Sequence, residues 1–121
     1  MPGEYRRGDV VEIDLSPIDL GITVGRELRK TRPCVILQND IGNANSSTTI
    51  VAAISSAEAG HKLFPVIVFV PKGEAGLLID SLVLCNQIRT VSKDRVGKTY
   101  GRLSASIMQK VDHALKISLA L

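Results

Sequence analysis

Arg29-Lys30-Thr31-Arg32-Pro33-Cys34-Val35-Ile36-Leu37-Gln38-Asn39-Asp40 sets three cations ahead of an apolar run, with a proline at the junction and turn-forming residues behind it. The run Pro33 to Leu37 has the length and branching of a buried strand. A cation leading into a rigid strand is held in one place, and a fixed guanidinium can grip a phosphate through two parallel hydrogen bonds. Arg32 is therefore the first candidate for chemistry. Arg29 and Lys30, further from the strand, suit long-range attraction of an anion. The plain alternative for Arg32 is a solvated charge at a strand end.

Working outward, strands flank this one on both sides. Asp9 to Leu15 places Val11, Ile13 and Leu15 at alternate positions, the period of a half-buried strand. Ile18 to Thr31 carries no periodicity and reads as a long loop. Asn39 to Asn43 reads as a turn. Thr48 to Ile54 is apolar enough to be covered on both faces, and it delivers Ser55 and Ser56 at its exit. Ala57 to Leu63 reads as a second loop, and Pro65 to Val70 as a strand. Leu77 to Asp80 reads as a helical turn, Ser81 to Ile88 as a fifth strand leading to Arg89, and Lys98 to Leu103 as a short last strand. Ser92 is placed to cap a turn through Arg95. Ser104 then caps a helix whose Ile107, Met108, Val111, Ala114, Leu115 and Leu119 share one face. The prediction is a mainly β, α+β domain spanning 1–121, a small SH3-like barrel or bent antiparallel sheet with a C-terminal helix.

Composition narrows the function. The chain has 121 residues, a formal net charge of +3 and a pI near 9.1, a mild bias toward polyanionic partners. It has no tryptophan, two tyrosines and two phenylalanines, so aromatic platforms for bases are scarce. Cys34 and Cys85 each lie inside an apolar run and read as buried free thiols. The two histidines, His61 and His113, have no acidic or thiol neighbour at ligand spacing, so no metal site or cofactor is expected. Gly97-Lys98-Thr99 lacks the upstream glycine of a phosphate-binding loop. No apolar run reaches the roughly 18 residues of a membrane span and no signal peptide is evident, which predicts a cytoplasmic protein without a membrane partner. The apolar terminus Ile117 to Leu121 needs cover, which predicts a dimer.

Several stretches, in order along nearly the whole chain, resemble the MazF/PemK family of toxin endoribonucleases. They are Arg7-Gly8-Asp9-Val10-Val11, Asp14-Leu15-Ser16-Pro17, Gly25-Arg26-Glu27, Arg32-Pro33, Gln38-Asn39-Asp40-Ile41-Gly42-Asn43, Val51-Ala52-Ala53-Ile54, Asp80-Ser81, Gln87-Ile88-Arg89-Thr90 and Lys110 to Leu119. The resemblance implies a homodimeric toxin of a type II toxin–antitoxin pair that cuts single-stranded RNA at short motifs without a metal ion, held in check by a small acidic antitoxin. It implies Arg32 and Ser55 as the catalytic pair, Ser55 standing where related toxins carry threonine. Glu27 and Arg89 are expected to be catalytic or RNA-binding, and Arg29, Lys30, Gln38 and Asn39 to bind RNA. The segment Ile18 to Val24 is longer than in typical members. A second expectation, from another class, is a non-catalytic toxin of the same fold that blocks a protein such as DNA gyrase.

Overall fold

The computed structural model describes residues 4–15, 31–59 and 65–121. Six strands, β1 (Asp9–Asp14), β2 (Thr31–Ile36), β3 (Thr48–Ser56), β4 (Ile67–Val70), β5 (Ser81–Ser92) and β6 (Val96–Arg102), form one antiparallel sheet in the order β4-β5-β3-β2-β1-β6. A short helix, α1 (Asp40–Asn45), joins β2 to β3, and the terminal helix α2 (Ala105–Leu119) packs across the sheet. The expected bent antiparallel sheet with a C-terminal helix is what is found. Among the described residues its ladder does not close into a ring, and β4 and β6 are the two edges.

Both faces of the sheet are covered, which is why β2 and β3 read as unbroken apolar runs. Toward α2 lie Val10, Val35, Ala52, Ile54, Val68, Val70 and Val83, packed against Ile107, Val111 and Ala114. Val11, Ile13, Cys34, Ile36, Val51 and Val91 point the other way and pack with Tyr5. Burying side chains such as Ile107 and Val111 stabilises the docked helix by roughly 1.5–3 kcal/mol each. Ser104 caps α2 as its position predicts, its hydroxyl accepting from the Ile107 N–H at 3.3 Å. Leu119, expected on the buried face, is 54% exposed; the buried residues of α2 are Ile107, Val111 and Ala114, with Met108 and Leu115 partly buried beside them.

Four local expectations are corrected. Asn39 to Asn43 is not an open turn: the Asn39 side chain accepts from Gly42 N–H at 2.7 Å and starts α1. The helical turn falls at Glu74–Gly76 rather than Leu77 to Asp80, with Ala75 in a left-handed conformation. Ser55 and Ser56 are the last residues of β3, not its exit. Finally, β5 runs on to Ser92, so Arg89 lies within a strand rather than beyond one. The expected end at Ile88 falls where the apolar run gives way to Arg89 and Thr90, yet these pair on with Val51 and Ile50; a bulge lies within the strand, Ala52 pairing with Ile88 but Ala53 with Leu84. The polar Asn86-Gln87 pair marks this bulge in the sequence. The loop from Ile18 to Lys30, its Ile18 to Val24 segment, Glu27, Arg29, Lys30 and His61 lie outside the described residues.

Candidate active site

The centre of the site is the place where β2 and β3 stop pairing. Cys34–Ala53, Val35–Ala52 and Ile36–Val51 are in register, and the same register carried two residues further sets Arg32 across from Ser55. Pro33 is the reason the ladder ends. The Leu37 N–H reaches Ile50 O at 2.7 Å, so alternate residues of this segment turn their amides toward β3. Position 33 is one of them, and proline has no N–H to give. On the other side β2 stays paired, Pro33 opposite Glu12 and Arg32 opposite Ile13. Among the described residues Arg32 is thus paired with β1 and has no ladder partner on β3. The side chain is exposed, whereas Ser55 is buried at 7% exposure. Among the described residues the Ser55 hydroxyl donates to Ser56 O at 3.5 Å, a marginal contact that leaves it ready for a better partner.

Arg89 joins them on this face, because it pairs with Val51 and therefore points the same way as Val51, Ala53 and Ser55. Cys34 reports both cations. Burial pushes its thiol up to about 12, and the positive charges of Arg32 and Arg89 partly oppose that rise. Two guanidinium groups therefore act on one buried thiol on the site face. Cys85 is raised to about 11, mainly by burial and further by Asp112. Both thiols are free and buried, as their apolar surroundings predict.

Gln38 and Asn39 are not brought to this end. Six or seven residues along from Arg32, they lie roughly 20 Å away at 3.3 Å per residue. Their side chains are engaged internally. Gln38 Nε2 donates to Asn43 Oδ1 at 3.0 Å and to Thr48 O at 2.9 Å, while the buried Thr49 hydroxyl donates to the same Asn43 oxygen at 2.7 Å. His113 is exposed on α2, apart from the site face.

What the arrangement can do is hold a phosphodiester. Two cations on one sheet face and a hydroxyl at its floor offer charge and a hydrogen bond to the oxygens of a crowded phosphate.

The architecture is a six-stranded antiparallel sheet with one backing helix among the described residues. A solved endoribonuclease in complex with its cognate antitoxin from a mycobacterial species has the same fold, with a TM-score of 0.75, 21% identity, and 97% of this chain and 96% of that one covered. The chain belongs to the PemK-like, MazF-like toxin family of type II toxin–antitoxin systems, matched over residues 6–119. It is 45% identical over 116 residues to the endoribonuclease EndoA of Bacillus subtilis strain 168, covering 96% of this chain and 95% of that one. To the endoribonuclease MazF of Staphylococcus epidermidis it is 46% identical, covering 96% and 92%. Both of these curated relatives are named endoribonucleases, so a non-catalytic blocker of DNA gyrase is not favoured.

Proposed function

We propose that this toxin-family chain is a metal-independent, sequence-specific endoribonuclease of single-stranded RNA, acting as a homodimer in the cytoplasm and neutralised by a small acidic antitoxin. The observation that carries the reading is the register that sets Arg32 opposite Ser55 where the β2–β3 ladder ends.

In the reaction the ribose 2′-oxygen forms a bond to the adjacent phosphorus as its proton leaves to a base. The bond from phosphorus to the 5′-oxygen breaks, and that oxygen takes up a proton. The products are a 2′,3′-cyclic phosphate and a 5′-hydroxyl. Arg32 stabilises the five-coordinate phosphate as its charge builds and stands beside the departing oxygen. Ser55 orients a non-bridging oxygen. Arg89 adds the second positive charge on the same face. Glu27 is the candidate for the base, and Arg29 and Lys30 draw the RNA in ahead of β2, whereas Gln38 and Asn39, whose side chains are engaged by α1 and its neighbours, are given no RNA contact.

The dimer reading is supported by the exposed apolar terminus, where Ile117, Leu119 and Leu121 are 44%, 54% and 84% exposed. The antitoxin reading is supported by family membership and by the solved complex of a toxin of this fold. The test is to incubate the purified protein with mixed-sequence RNA in EDTA and map the fragment ends. Cyclic-phosphate and hydroxyl ends at a recurring motif are expected; intact RNA from folded, antitoxin-free protein would overturn the proposal.

A further inference from the structure

Alternation from the paired Cys34 and Ala53 puts Arg32 and Ser55 on one face, and that face continues across the sheet. Ser55 is opposite Leu82 on β5, and Leu82 is opposite Phe69 on β4. Directly paired residues share a face, so Arg32, Ser55, Leu82 and Phe69 form one row on the side turned away from α2. The alternation in β4 agrees, since Val68 and Val70 belong to the helix-side core while Phe69 is 47% exposed. At a strand spacing of about 4.8 Å, Phe69 stands roughly 10 Å from Ser55.

Phe69 differs from the other described aromatics. Tyr5 is buried, and Tyr100 is half-buried with the Lys98 ammonium 5.4 Å from its ring centre. An exposed phenylalanine on an edge strand is a liability for a protein without a use for it. Here the same face offers cations for phosphates, and an aromatic ring offers the complementary surface for a base. We infer that Phe69 is a stacking platform for an unpaired base flanking the scissile phosphate. The inference rests on reading Arg32 and Ser55 as the cleavage site. Stacking is tolerant of base identity, so Phe69 anchors the strand rather than setting the motif.

The test measures binding separately from cutting. An oligoribonucleotide is made with 2′-deoxyribose at the mapped cleavage position, or throughout if no cut is found, and carries single abasic sites at successive flanking positions. Anisotropy is then read for the full-length protein and for Phe69→Ala, Phe69→Tyr and Phe69→Leu. Phe69→Ala is expected to bind the intact oligonucleotide about tenfold more weakly, with Phe69→Tyr restoring affinity and Phe69→Leu not. One abasic position should cost the unaltered protein the same factor and cost Phe69→Ala nothing. Equal losses at every abasic position, or full affinity in Phe69→Leu, would overturn the stacking role. So would a change of oligomeric state in Phe69→Ala that accounts for the lost affinity. Cutting of the all-ribose oligonucleotide is followed in parallel. Coupling without cutting would sink the endoribonuclease reading alone, and cutting without coupling would sink the stacking platform alone.

Discussion

Arg32 and Ser55 lie two residues beyond Cys34 and Ala53, the last pair of the β2–β3 ladder, and fall on the same sheet face as that pair; Pro33, with no amide hydrogen to give, stands where the ladder stops. The ordered strand supplies rigidity and the missing hydrogen bond supplies access. A site of this kind needs no loop to assemble its central pair.

Replacing Arg32 with alanine should therefore lower kcat by about 10²–10³ or more while leaving the circular dichroism and melting temperature nearly unchanged, since the side chain is exposed. Arg32→Lys should fall between, because an ammonium keeps the charge and loses the two-pronged grip. Loss of folding in Arg32→Ala would return the residue to a structural role.

Ser55 gives a sharper discrimination between hydroxyl and shape. Ser55→Ala should cost at least about tenfold in kcat, while Ser55→Thr should stay within a few-fold of the parent, the added methyl restricting the rotamer. Single-turnover cleavage at saturating protein separates this from weaker RNA binding. An alanine variant as fast as the parent would remove Ser55 from the reaction.

The open sheet is braced by two glycines. A Cβ on Gly76 would lie 2.3 Å from the Tyr100 carbonyl oxygen, and one on Gly101 would lie 2.7 Å from the Ala75 carbonyl carbon. Backbone meets backbone, so neither neighbour can rotate away, and Gly76 also sits at φ +74. Gly76→Ala and Gly101→Ala should each destabilise by on the order of 2 kcal/mol or more in urea titration. Gly73→Ala, at φ +97 with nothing within 4 Å, should be milder because it carries the backbone strain without the clash.

Alkaline pH should expose the buried thiols. The folded Cys34 pKa, about 12 against 9.0 for an unburied thiol, is raised, so its contribution to stability is fully present below pH 9 and is lost as pH climbs toward 12. Cys34→Val should flatten that alkaline loss. At pH 7.5 iodoacetamide should modify neither Cys34 nor Cys85 until the protein is unfolded, as mass spectrometry would show.

Much of this was legible in the residues themselves. The alternation in β1, the apolar runs of β2 and β3 and the capped stripe of α2 are local signals, and each became the element it indicated. Arg32 stood out because a proline follows it. What escaped notice depends on distant parts of the chain. The full length of β5 is hidden by Arg89 and Thr90, a charged and polar pair that reads as a strand end but stays paired with Val51 and Ile50 of β3. Asn39 looked like a turn residue, since the same side chain that favours turns also caps helices. The row from Arg32 to Phe69 crosses strands that are not consecutive, and no spacing along the sequence records it.

Arg7 ties remote segments into one knot. Its Nε donates to Leu37 O at 2.7 Å, its Nη2 meets Asp112 Oδ1 at 2.8 Å, and its backbone N–H donates to Asp40 Oδ1 at 2.8 Å. A single guanidinium thus fastens the start of the molecule to the strand that carries Arg32 and to the last helix. Shortening the protein from its C-terminal end would strip away more than apolar cover; it would undo the mooring of the segment that follows β2, so Arg7 and the last helix should melt as one cooperative unit.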